Sequence, residues 1–256
     1  MLHLFVHWGV AALLLAWPGT HLTAAEAQVH TDANLVTVLD VSGSIMRHEE
    51  WLEFEGLAKA IVDAAVLDAI AGGRHGRIGF AVFTWSSGGR FDALVPWTLI
   101  ASIDDAERVA ATLHGFGIDR SSWQREGNGS GGPGRKPEAW TDISKTIDFA
   151  AALALAAPHV SQRAVINVCA NGRDNVAEDP RAARDRALAA GIVVNGLVIG
   201  GGNSLADYFG THVQGGAGSF VLEVAEPAAL VDAMIEKLLR DLIAVRHPVS
   251  VAVPFT

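Results

Sequence analysis

Leu35-Val36-Thr37-Val38-Leu39-Asp40-Val41-Ser42-Gly43-Ser44 passes from an apolar run directly into a carboxylate followed by two hydroxyls at alternate positions. The first half reads as a buried strand, because a short β-branched run leaves no polar face. The second half carries three small oxygen donors into a turn at the strand's carboxyl end, where open α/β sheets bind their ligands. Oxygen donors of low charge suit a hard cation such as Mg²⁺. The same residues also fit a helix N-cap, since Ser or Asp after a strand satisfies free helix N–H groups. The rest of the chain has to separate the two.

Working outward, apolar runs alternate with helical patterns, which predicts a doubly wound, mostly parallel α/β sheet with helices on both faces. Strands are expected at 35–39, 78–85, 94–99, 164–169, 192–199 and 220–224, with the second and third paired as a hairpin. Helices are expected at 49–71, 104–113, 141–157, 180–190 and 227–245. Residues 116–140 form a Gly-rich insertion, expected to be mobile, that holds Trp123, Arg125 and Trp140. Aromatic and Arg side chains on a loop are a plausible partner-binding surface. Gly200-Gly201-Gly202-Asn203 lacks the Lys-Ser/Thr of a phosphate-binding loop.

The chain has 256 residues, half of them hydrophobic and 18% charged, enough for a full core. Its 28 acidic and 19 basic residues give a net charge of −9, which argues against nucleic acid or an anionic membrane as the main partner. Residues 10–17 are apolar, Pro18-Gly19 interrupts them, and Ala25-Glu26-Ala27 offers a small-x-small cleavage site. Residues 1–27 therefore read as a secretory signal peptide, too short to span a bilayer, and the mature chain as periplasmic or secreted with no membrane span. One domain is expected over 34–245, followed by a tail over 246–256. The single cysteine, Cys169, excludes an internal disulfide. The histidines have no zinc-type spacing.

Three turns at strand ends are expected to converge: Asp40 to Ser44, Trp140-Thr141-Asp142-Ile143-Ser144, and Ala170-Asn171-Gly172-Arg173-Asp174-Asn175. Asp-x-Ser-x-Ser after a first strand, with a Thr opening a later helix, resembles the metal-ion-dependent adhesion site of von Willebrand factor A domains. Arg77-Ile78-Gly79, Trp85-Ser86, Val95-Pro96-Trp97-Thr98, Arg184-Asp185, Gly191-Ile192, Asn195-Gly196-Leu197, His212-Val213 and Gly215-Gly216 extend the likeness to a family of exported bacterial proteins of unknown function. It covers roughly 34–245.

The resemblance implies that Ser42 and Ser44 bind the cation through their hydroxyls and that Asp40 holds the site through water and hydrogen bonds. It implies Thr141 as a further hydroxyl ligand, Mg²⁺ (or Mn²⁺ or Ca²⁺) as the ion, and a protein partner's acidic side chain in the open position. Asn171 stands where the family pattern has an Asp, so one charge is lost. Divalent binding is then expected to be weaker by about one to two orders of magnitude. Asp174 is a possible replacement, offset by three residues. Ala139-Trp140 replaces the usual Gly-Gly before Thr141.

The leading reading is a non-enzymatic exported binding module. The alternatives are a metal-independent interaction protein using the 116–140 loop, and a cation-dependent hydrolase with Asp142 or Asp174 as base.

Overall fold

The computed structural model describes residues 28–41, 47–86, 90–122, 141–176 and 178–246. Strand β1 (Asn34–Asp40) is buried along its whole length, as its unbroken apolar run requires. The chain continues through α1 (Arg47–Ile61), α2 (Ala64–Ala71), β2 (Ile78–Ser86), β3 (Arg90–Ile100), α3 (Ile103–Ser122), α4 (Ile143–Leu155) and β4 (Ala164–Ala170). It ends with α5 (Pro180–Ala189), β5 (Ile192–Ile199), α6 (Asn203–His212), β6 (Val221–Val224) and α7 (Leu230–Arg246). The sheet order is β3-β2-β1-β4-β5-β6. Every neighbouring pair is parallel except the β2–β3 hairpin.

Alternation along the strands divides the core into two layers. Leu35, Leu39, Val165, Cys169, Val193 and Leu197 face one layer with Phe54 and Leu57 of α1, Val109 of α3, and Met234 and Leu238 of α7. Val36, Val38, Ile166, Val168, Val194 and Val198 face the other, with Ile143 and Ile147 of α4, Ala183 of α5 and Phe209 of α6. No helix among the described residues is long and apolar enough to cross a membrane.

Four differences from the sequence reading have local causes. The helix expected over 49–71 is two, because Asp63 is extended (φ −62°, ψ 137°) and caps α2 through a 2.9 Å bond from Ala65 N. Helix α3 runs to Ser122, where the sequence predicts a loop from 116. Strand β3 begins at Arg90 rather than 94, and its Pro96 is tolerated because β3 is an edge strand. Helix α6 was not predicted. Gly200, Gly201 and Gly202, all at positive φ, hide its start, and Leu205 and Phe209 then give its buried face.

Gly196 of β5 is what lets α6 approach the sheet. A Cβ there would lie 2.8 Å from Phe209 Cδ1. Gly196→Ala is therefore expected to lower stability by about 1–3 kcal/mol, measured by urea denaturation. An unchanged midpoint would show that α6 packs more loosely than described.

Candidate metal centre

Strands β1 and β4 are neighbours, but the chain leaves and enters them on opposite faces. The path from β1 to β2 runs through α1 and α2 in the first layer, and α4 delivers the chain to β4 from the second. At such a reversal the loops at the strands' carboxyl ends diverge and open a crevice. Asp40 is the last residue of β1 and fully buried. It stands one step beyond the Leu39–Cys169 pair, level with the end of β4 at Ala170. Asn171 follows Ala170 on the opposite wall and is half-buried.

Thr141 supplies the third wall and is 3% exposed. Its backbone is clamped to the loop after β4: Thr141 N donates to Asn175 Oδ1 (2.8 Å), and Asn175 N donates to Thr141 O (3.0 Å). A Cβ on Gly172 would sit 3.7 Å from Thr141 Oγ1, so the hydroxyl faces the Asn171-Gly172 turn. Asp40 thus closes β1, Asn171 follows the neighbouring β4, and Thr141 faces the turn at Asn171-Gly172 from the start of α4. Ser42, Ser44, Trp123, Arg125 and Trp140 lie outside the described residues.

The two remaining carboxylates of these turns serve the start of α4. Asp142 caps its own helix, accepting from Lys145 N (3.0 Å) and Lys145 Nζ (2.8 Å). Asp174 caps the same helix from the neighbouring loop. Its Oδ2 accepts from Ile143 N (2.7 Å) and Ser144 N (3.1 Å), and its Oδ1 from Val176 N (3.0 Å). Partial burial pushes the Asp174 carboxyl above the usual carboxylate range, while the three backbone N–H groups pull it back. The possibility that Asp174 replaces the charge missing at Asn171 is therefore not supported: its oxygens are aimed at backbone donors.

Sequence reasoning missed the Thr141–Asn175 clamp, although Asp174-Asn175 after a strand is a recognisable side-chain-to-backbone turn signal. It also missed a stacked group beside Asn171. The Arg173 guanidinium lies 5.3 Å from the Tyr208 ring centre and donates to Ser204 O (2.7 Å), and Tyr208 stacks on His212 at 4.4 Å.

No three His, Cys, Asp or Glu side chains meet in a metal-binding arrangement among the described residues. The side chains at these three positions offer one buried carboxylate, one hydroxyl and one amide oxygen, all hard. Oxygen donors of these types suit a hard divalent cation better than a nitrogen- and sulfur-bound one.

The clamp is open to test. Asp174→Ala is expected to cost about 1–2 kcal/mol of stability by urea denaturation, by freeing the first donors of α4. Because burial raises its folded-state proton affinity, this carboxyl contributes most at low pH and loses that contribution as pH rises through its folded value. Asp174→Asn should flatten that part of the stability profile.

No curated protein matches the sequence. The family model described as "Protein of unknown function (DUF1194)" matches residues 30–246. Proximal thread matrix protein 1 from the mussel byssus superposes with a TM-score of 0.55 at 16% identity, over 84% of this chain and 49% of the mussel chain. A crystal of the same mussel protein with a zinc-occupied MIDAS (metal-ion-dependent adhesion site) motif gives 0.53 at 18% identity, over 84% and 49%. A von Willebrand factor type A structure from Catenulispora acidiphila gives 0.45 at 16% identity, over 83% and 43%. The chain thus spans about half the length of the mussel structures, and at these identities the likeness is one of fold. The chain has a von Willebrand factor A-like α/β fold and belongs to the DUF1194 family of proteins of unknown function.

Proposed function

We propose that this protein is an exported, non-enzymatic binding module that recognises a protein partner through a Mg²⁺-type cation at the β1–β4 crevice. What supports this reading is that Asp40 ends β1 level with the end of β4, that Asn171 follows β4, and that Thr141 Oγ1 faces the Asn171-Gly172 turn, where the winding of the sheet reverses. Ser42 and Ser44 follow Asp40 by two and four residues and complete the oxygen donors in sequence. Residues of this kind would hold the ion mainly through neutral oxygens, leaving its charge available to an acidic side chain of the partner. Export rests on the signal-like sequence of residues 1–27.

A hydrolase reading fares worse, because both of its candidate bases, Asp142 and Asp174, are engaged at the start of α4. A metal-independent reading draws on the same crevice chemistry. With Asn171 neutral and Asp174 aimed at backbone, the three gathered positions hold a single carboxylate. In that case the surface around 116–140 would capture the partner with no response to chelator.

Millimolar Mg²⁺ or Mn²⁺ is expected to raise the Tm of the full chain, EDTA to reverse the shift, and the Ser42→Ala/Ser44→Ala double variant to show none. Equal melting with Mg²⁺ and with EDTA would contradict the cation site. Asn171→Asp should tighten Mg²⁺ binding by about 10- to 100-fold in calorimetric titration, since it restores a carboxylate a few ångströms from the ion.

A further inference from the structure

The first core layer contains a buried polar group that the crevice does not use. Thr37, Asn167 and Asn195 lie side by side across β1, β4 and β5. Asn167 and Asn195 point toward α7, whose Lys237 and Asp241 reach down to them one helical turn apart, and Thr37 shares their face of the sheet by register. Lys237 is 1% exposed, and Asn167, Asn195 and Asp241 are fully buried. Lys237 Nζ is in contact with Asn167 Oδ1. Asn167 Nδ2 donates to Asp241 Oδ2 (2.7 Å), Asn195 Nδ2 donates to Asp241 Oδ1 (2.7 Å), and Asn195 Oδ1 accepts from Phe220 N (3.0 Å). The Asn167 amide is therefore held between an amine on its oxygen and a carboxyl group on its nitrogen. Burying an amine and a carboxyl in an apolar layer is costly for stability alone, and well-packed apolar residues do as well or better there.

We propose that Lys237 and Asn167 join in an intramolecular isopeptide bond, with Asp241 carrying the proton. In the step, the Lys237 Nζ lone pair forms a bond to Asn167 Cγ, and the Cγ–Nδ2 bond breaks. One of the two hydrogens of the neutral amine passes by way of Asp241 to the departing nitrogen, which leaves as ammonia. Asp241 ends as it began, and no oxidant, reductant or other reactant is consumed.

The geometry is near that of reaction. The amine touches Oδ1 of the same amide whose Cγ it must reach, so the two reacting groups are already in contact. Groups held at such distances react as if at concentrations of about 10⁵ M or more. The carboxyl group sits on the nitrogen that must leave. Burial also disfavours both charges, pushing Lys237 toward the free amine and Asp241 toward the acid, while their mutual attraction, and the Arg163 guanidinium near Asp241, pull the other way. The Phe220 ring, 5.1 Å from Nζ, adds to the water-poor surroundings. Thr37, in register with Asn167, has a buried hydroxyl with no hydrogen-bond partner among the described residues, a donor suited to negative charge developing on Oδ1. The bond would tie α7 to the middle of the sheet in a chain whose single cysteine rules out an internal disulfide.

Trypsin digestion of the denatured full chain, followed by mass spectrometry, tests this directly. The expected product is peptide 164–173 joined to peptide 187–240, uncut after Lys237 and lighter than the two together by one ammonia. Asp241→Asn keeps the shape of the carboxyl group but cannot shuttle the proton. In the folded variant, confirmed by circular dichroism, the joined peptide should fall at least tenfold. Recovery of linear 164–173 and cleavage after Lys237 in the wild-type chain would overturn the proposal. Full cross-linking in Asp241→Asn would overturn the role of Asp241.

Discussion

Everything at the functional edge depends on one constraint: the two central strands, β1 and β4, are buried on both faces while their connections lie on opposite sides of the sheet. Strands with no polar face need helices above and below, and parallel pairing sends those helices back along the sheet. Where the direction of winding reverses, the loops at the carboxyl ends must part. Polar side chains can then stand at the end of an otherwise apolar strand and remain deeply enclosed. Asp40 illustrates this: it is fully buried although it is the last residue of its strand.

The crevice is built by a division of labour among carboxylates. Asp142 and Asp174 both face the first turn of α4, from its own chain and from the loop after β4. Their hydrogen bonds fix where α4 begins, and the paired bonds between Thr141 and Asn175 then fix Thr141 beside the Asn171-Gly172 turn. Asp40 is left as the carboxylate among the three positions. A cation held there, as proposed, would keep most of its charge for whatever approaches from outside, at a cost in affinity.

Much of the architecture was legible in the sequence because burial on both faces leaves unbroken apolar runs. The 192–199 strand was predicted at its observed limits, and α5, with Pro180 at its first turn, ends within one residue of expectation. What escaped was governed by local competition or by tertiary contact. The Asp63 cap divides a helix whose apolar stripe is continuous. The glycines before α6 read as a loop, while the helix is held by Leu205 and Phe209 packing on the sheet. At the candidate site, Asp40, Thr141 and Asn171 were named from the sequence, and what the structure adds is the strand level of Asp40 and the turn facing Thr141. The use of Asp174 could not be read there, since its partners Ile143 and Ser144 are about thirty residues away in the chain. The sequence reading of the closing helix singled out neither Lys237 nor Asp241, and it is their contacts with the polar row on β4 and β5 that show them pointing inward.

The two polar regions of the molecule differ in kind. The Lys237–Asn167–Asp241 group is sealed within a core layer, so its chemistry concerns the chain itself. The crevice lies at the carboxyl ends of β1 and β4, where a cation is proposed to mediate partner binding. Crystals of the full chain grown with Mn²⁺ and measured for anomalous scattering would test that claim most directly. A single strong anomalous peak is expected at the carboxyl ends of β1 and β4, near Asp40, Thr141 and Asn171. A crevice with no peak, or a peak only at another place on the protein, would contradict it.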